Sequence, residues 1–397
     1  MADERMTPTK ATALMARAAD APSGRWLDGR LISAVLVLAA TGLVMVASAS
    51  IAMAERFGSP LVLFQRQMVY LAIASVAGVA VVSIPLAKWQ AASRMLLVFA
   101  YFLLLVVLVP GVGHEVNGAT RWLDFGLFQL QVSELARPAL IIYLAGYIAR
   151  RSALVRDDAR GFWVPTGAVA GASLLMVASP DFGGAAVLLA TGVVMLFLAG
   201  ASLTRLLALG SGLLAVGTTM VLNAPYRVQR MTAFINPWSD PLDSGFQLTQ
   251  ALIAIGRGGW FGVGLGDSVQ KLFYLPEAHT DFLFAVLAEE LGLIGVIAVL
   301  ALYTYVVYRV FRIGAASHAV GHAFGGYLAW GIAAWLGLQC FVNVGVNLGV
   351  LPTKGLTLPL MSYGGSSLVT TVAVLALVLR VDHETRGARA TGGDHGG

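Results

Sequence analysis

Ten apolar runs recur along this chain, at 31–53, 67–84, 95–110, 131–149, 163–179, 184–200, 203–222, 281–308, 321–349 and 362–380. A helix rises 1.5 Å per residue, so about twenty residues cross a hydrocarbon layer about 30 Å thick. Hydrophobic side chains make up 58% of the 397 residues, and Asp, Glu, Lys and Arg only 12%. A water-soluble core of this size cannot hide that much apolar surface, so the solvent is lipid. The sequence predicts an all-α integral membrane protein. It is a polytopic bundle of about ten transmembrane helices over residues 31–381, with a large extracytoplasmic loop, 223–280, between the seventh and eighth. Only SPDFGG (179–184) punctuates the fifth and sixth spans.

The first run lacks the short apolar core and cleavage site of a secretory signal and reads as a retained helix. Residues 1–30 and 382–397 are rich in Ala, Gly, Thr and charge and read as disordered cytoplasmic tails. With the N-terminus inside, the short inner loops carry Lys88, Arg94, Arg150, Arg151, Arg156, Arg160, Arg205, Arg309 and Arg312; the outer ones carry only Arg56, Arg66, Arg121 and Lys354. That bias places both termini in the cytoplasm. The formal charge of +5 then reflects orientation in a membrane and not nucleic-acid binding. A single cysteine, Cys340, inside an apolar span, excludes a disulfide or CxxC metal site and reads as a core residue.

The few polar residues collect in three places, all outward. The loop 223–280 is longer than a tether needs. Within it FQLTQALIAIGRGGWFGVGLG (246–266) suits an interfacial helix followed by glycine turns, with Trp238 and Trp260 as anchors. GVGLGDS lacks the strand–helix context of a dinucleotide loop. Arg227, Arg230 and Lys271 are candidates to hold a diphosphate, with Arg257 and Lys354 behind them; anionic headgroups are the competing partners. At 117–140, Ser133, Glu134 and Arg137 enter the fourth span, and Glu134 and Arg137, three apart, share a helical face and can pair. Asp181 reads as a turn residue. At 348–367, Pro- and Gly-rich backbone at membrane depth must be buried or line a cavity, along which Ser362, Tyr363, Ser366 and Ser367 offer hydroxyls.

Five acid or histidine side chains crowd LPEAHTDFLFAVLAEELG (275–292): Glu277, His279, Asp281, Glu289 and Glu290. Asp281 opens the apolar periodicity, which also fits a helix N-cap. Capping and the helix dipole would lower its pKa, whereas burial would raise it. Glu289, eight residues on and about 12 Å deeper, is too far to share its chemistry, so Glu289 and Glu290 read as interhelical partners that fix the eighth span.

QVSELARPA, QLTQALIAIGRGGWFGVGLGDSVQKLFYLPEAHTDFLFAVLAEELG and GVLPTKGLTLPLMSYGGSS, in that order, resemble motifs of the SEDS family (shape, elongation, division and sporulation). These are polytopic polymerases of the bacterial cell-wall precursor lipid II. The resemblance covers about 35–381, and the wording PTKGLTLPLMSYGGSS fits the division branch better than the elongation branch. Arg137 stands where the family usually has Lys. The positive charge survives, but a role needing a neutralisable amine does not.

The resemblance implies a peptidoglycan glycosyltransferase of the inner membrane at the division septum, with lipid II as donor and acceptor. It implies a class B penicillin-binding protein transpeptidase and other divisome proteins as partners. Asp281 matches the family's essential aspartate and is expected to act as general base, helped by Glu277 and His279. Gln129, Gln131, Gln247 and Gln250 are candidate sugar contacts. No cofactor is expected. A divalent cation stays open, although no DxD pair is present and Asp240 with Asp243 is a weak substitute. A lipid II flippase, an elongation-type polymerase and a division scaffold remain alternatives. The flippase would need a polar path through both leaflets, and here the inner halves of the spans are apolar.

Overall fold

The computed structural model describes residues 27–393 apart from 52–57, 117, 127–128, 224–227, 229–231, 233, 244, 273 and 354. Each of the ten expected spans is a helix. They are α1 (Gly29–Ser50), α2 (Val62–Ser83), α3 (Leu86–Val106), α4 (Val132–Asp157), α5 (Ala159–Ala178), α6 (Phe182–Leu198), α7 (Leu203–Leu222), α9 (Leu283–Ala319), α10 (Ala323–Asn347) and α11 (Gly365–Gly393). The interfacial helix forms as α8 (Phe246–Gly258). Among the described residues, eight of these helices are long and apolar enough to cross a membrane, with α6 and part of α7 as shorter apolar helices. The protein is a multi-pass membrane protein.

Packing separates centre from rim. The apolar window of α4 is 83% buried and that of α2 only 17%, so α4 stands at the centre and α2 turns its Val and Ala side chains to lipid. Asp28 caps α1 by accepting from the amides of Arg30 and Leu31, and pairs with Arg309 of α9 at 2.5 Å.

Three local features depart from the sequence reading. A three-stranded antiparallel sheet, β1 (Gly113–Val116), β2 (Ala119–Asp124) and β3 (Gln129–Gln131), precedes α4 in the otherwise helical chain. Its register holds Leu123 opposite Leu130 and Trp122 opposite Gln131. The helix α11 continues to Gly393, so the expected tail from 382 is helical up to that point. Arg380–Glu384 and Asp382–Arg386 pairs at i,i+4 support it. The expected disorder of 1–26 and 394–397 falls outside the described residues.

The third departure is a break in α9 at Gly292, where φ is 65° and ψ −168°. A side chain there would meet the Gly262 and Phe261 backbone within 2.7 Å, so only glycine fits. The loop after α8 satisfies the backbone groups that the break frees. Val263 N donates to Glu289 O and Gly264 N to Glu290 O, while Leu293 N and Ile294 N donate to the carbonyls of Gly259 and Trp260.

Candidate active site

The loops between helices gather at one end of the bundle and bond to one another. Tyr363 N donates to His279 O, and Ser362 Oγ donates to Thr280 O while accepting from Leu358 N. The amide of Gln131 donates to Ser366 Oγ, which donates on to Gln129 O, tying β3 to α11. Gln67 of α2 spans Ser362 O and Gly364 N. Between these loops lies a groove of about 1380 Å³, walled by α2, the sheet, the 275–281 segment and the 355–367 turn. Its lining is half polar in character: Gln131, Glu134 and Gln247 stand with the rings of Tyr70, Trp122 and Tyr363. A smaller cavity of about 120 Å³ adjoins it, sharing Arg121, Gln247, Glu277, Asp281 and Gly355.

Asp281 stands at that junction. It lies two residues before α9, whose N-cap is Phe282 and has no side-chain cap bond, so the capping role expected as one possibility is not the one Asp281 plays. Asparagines 343 and 347 of α10 hold its backbone carbonyl at 2.9 and 3.0 Å. Its carboxylate accepts no hydrogen bond from the described residues. Burial, then the Glu277 charge, push its pKa up to about 7, with Arg121 opposing them and Asp181 adding to them. Of the two opposed expectations for this group, burial prevails because the cap is absent. Gly355 faces the carboxylate so closely that a Cβ there would lie 2.8 Å from Asp281 Oδ2.

His279 is largely enclosed. Burial holds its imidazole below the usual range, so it is neutral at pH 7, with Nδ1 buried and without a hydrogen-bond partner among the described residues, and its ring 5.6 Å from that of Tyr363. Glu277 accepts from Thr280 Oγ1 at 2.7 Å. Glu134, which lines the groove, and Arg137 form the expected pair at 3.1 Å, both buried. The structure adds two partners: Gln339 accepts from Arg137 at 3.2 Å, and Asp181 lies 3.9 Å from the guanidinium. Asp181 is the N-cap of α6, accepting from Gly184 N, and more than a turn residue.

Several candidates are engaged in other bonds or lie off the groove. Lys271 lines the groove with its ammonium already paired. Its ammonium, 2% exposed, donates to Glu290 at 2.7 Å, to Ser48 of α1 at 2.8 Å and to the Gly266 carbonyl at 2.6 Å. That pairing could not be read from local spacing, because the partner lies nineteen residues away. Ser133, Gln250 and Ser362 do not line the groove. Ser133 accepts from Gln131 Nε2, and Ser362 is used in the loop bonds described above. Arg227, Arg230 and Lys354 lie outside the described residues. Among the described residues no group of three or more His, Cys, Asp or Glu is placed to hold a metal ion.

Among the described residues, the cation that lines both the groove and the smaller cavity is Arg121 of β2, whose Nε donates to the Ser179 carbonyl at 3.3 Å and whose Nη2 donates to that of Pro180. The sequence had placed it only as an outer-loop charge. The available signal was its neighbour Trp122 in an alternating stretch, ATRWLD, too short to mark a strand by itself.

The pattern of the cell cycle protein family that groups FtsW, RodA and SpoVE matches residues 29–387. A probable peptidoglycan glycosyltransferase FtsW from Alkalilimnicola ehrlichii is 58% identical over 361 residues, covering 91% of this chain and 90% of that one. Another from Thioalkalivibrio sulfidiphilus is 55% identical over 374 residues, covering 92% and 94%. Among solved structures, a chain of a peptidoglycan synthase complex that coordinates polymerization and crosslinking superposes with a TM-score of 0.76 at 33% identity, covering 91% of this chain and 98% of that one. The rod shape determining protein RodA of Thermus thermophilus gives 0.68 at 32% identity, covering 92% and 99%.

Proposed function

The chain belongs to the SEDS family of cell cycle proteins, and on that premise we propose that it is a peptidoglycan glycosyltransferase that polymerises lipid II during cell division, with Asp281 as general base. The observation that carries the reading is the placement of Asp281. A carboxylate that no described residue hydrogen-bonds, with a pKa of about 7, stands where a long groove meets a smaller polar cavity. A base is most useful when its pKa lies near the working pH, since it is then both deprotonated and proton-hungry.

The reaction joins two sugars. As the acceptor's 4-hydroxyl oxygen bonds to the donor's anomeric carbon, Asp281 takes the hydroxyl proton and the bond from that carbon to the polyprenyl diphosphate breaks. The diphosphate leaves with its electron pair. Arg121 beside the junction is suited to the developing charge, and Arg66 on α2 lines the same groove. Arg227, Arg230 and Lys354 are further candidates for that charge. Neutral His279 and Glu277 border the base, while Gln131, Gln247 and the Tyr70–Tyr363 wall offer sugar contacts.

The similarity to a chain of a peptidoglycan synthase complex supports a transpeptidase partner, of the class B penicillin-binding kind. We place the protein at the division septum with other divisome proteins and both termini in the cytoplasm, which the inner-loop arginines support. The test is polymerisation of labelled lipid II by the purified chain with its transpeptidase in proteoliposomes, with and without chelator. Glycan strands from the wild type and none from Asp281→Asn support the reading. Transport of lipid II across the bilayer with no polymer would favour the flippase.

A further inference from the structure

Glu289 and Glu290 are among the most buried ionisable groups in the chain, at 0% and 1% exposure, and the reaction proposed above uses neither. The sequence suggests that they hold helices together. Their bonds go mainly to a loop. The Glu289 carboxylate accepts from Ser268 Oγ, from Val269 N at 3.1 Å and from Gln270 N at 3.4 Å, and pairs with Arg257 of α8 at 2.9 Å. Glu290 accepts from Lys271 Nζ and from Ser48 Oγ of α1 at 2.6 Å. Adjacent carboxylates of α9 thus hold Ser268–Lys271 from two sides. From that point a series of turns, Leu272 N to Val269 O, Leu275 N to Gln270 O and Phe282 N to Glu277 O, leads to Asp281 and back into α9. The loop leaves the helix at one fixed point and returns to it at another, and Asp281 lies just before the return.

We propose that Glu289 and Glu290 are positioning residues: they clamp the start of the 268–281 loop to α9 and so fix where the Asp281 carboxylate stands in the groove. The break at Gly292 serves the same end, since it lets Glu289 O and Glu290 O, freed from the helix ladder, take the amides of Val263 and Gly264. Side chains and backbone of the two glutamates therefore grip the loop together. The proposal rests on the assignment of Asp281 as the base, because a clamp matters to turnover only if the clamped group reacts.

Two variants test it in the full-length protein. Ser268→Ala removes one loop-side bond and leaves every charge in place; Glu289→Gln weakens the carboxylate end. Hydrogen–deuterium exchange and lipid II polymerisation are measured on the same folded preparations. The clamp predicts that amides of 268–275 exchange about tenfold faster in both variants while those of α10 and α11 do not change. It also predicts kcat per folded molecule about tenfold lower, with KM nearly constant and the acid limb of the pH profile unmoved. A residue that merely supports the fold would lower the melting temperature and loosen all helices, with turnover per folded molecule intact, and that result overturns the proposal. So does unchanged exchange at 268–275, or loosening there without any loss of kcat. If the wild type makes no polymer, the catalytic reading fails and the exchange pattern alone decides the clamp.

Discussion

Asp281 and Glu289 lie eight residues apart in a chain where charge is scarce, and they are treated in opposite ways. Glu289 is fully enclosed and accepts from four donors, and Glu290 beside it is held by a lysine and a serine. Asp281 receives no hydrogen bond on its carboxylate from the described residues, while its backbone carbonyl is held firmly by two asparagines. A carboxylate with several donors is fixed in place; Asp281, raised by burial and given no donor by the described residues, keeps a pKa high enough to exchange protons near neutrality. Position along one helix start thus separates a bonded anchor from the acid proposed as the base, and the number of donors each receives is what distinguishes them.

The largest effect should come from the unpartnered side. Asp281→Asn removes the base with little change of shape, and polymerisation measured on lipid II should fall about 10²–10⁴-fold. Stability should move the other way. The folded state binds the Asp281 proton more tightly than the unfolded chain does, so this carboxyl's contribution to stability is lost as pH rises from about 4 through about 7. The Asn variant should therefore melt higher than wild type at pH 8 and by a smaller margin at pH 5. A variant that polymerises normally would erase the contrast between the two acids.

On the partnered side, Lys271→Met leaves Glu290 buried without its cation and should cost about 3–5 kcal/mol of stability, read as lost yield and a lower melting temperature. Normal stability with weakened substrate binding would instead favour the diphosphate-holding role that its sequence position suggested. Gly355→Ala sharpens the comparison from the other direction. Its new methyl would stand 2.8 Å from Asp281 Oδ2 and displace the carboxylate, so kcat should drop about tenfold or more while unfolding changes little. Arg257→Ala is the mildest test. Its side chain is 43% exposed and Glu289 keeps three other donors, so a stability loss of about 0.2–1 kcal/mol is expected by thermal or denaturant unfolding.

These contrasts also mark what the sequence could carry. Apolar run length located a helix for each of the ten runs, eight of them long and apolar enough to cross a membrane, and i,i+3 spacing found the Glu134–Arg137 pair, because both are local regularities. That Asp281 lines the groove was foreshadowed by its place at a polar-to-apolar boundary. The partners of Lys271, of Glu289 and of Arg137 at Asp181 were not, since each bond joins segments that only tertiary folding brings together. The sheet escaped notice because β1 and β3 are four and three residues long and β1–β2 carries a register shift. The extension of α11 was hidden by a Gly- and Arg-rich composition whose i,i+4 pairs outweigh it. The break at Gly292 gave no sign beyond one glycine among many, because what fixes it is the distant loop that fills it.

The central claim is that Asp281 works as a base with a pKa lifted by burial, and the pH dependence of lipid II polymerisation tests it most directly. With the transpeptidase present and lipid II well below saturation, kcat/KM should fall with unit slope below about pH 7, as Asp281 takes up its proton. A rate that stays level down to about pH 5, as an ordinary carboxylate would give, contradicts the account.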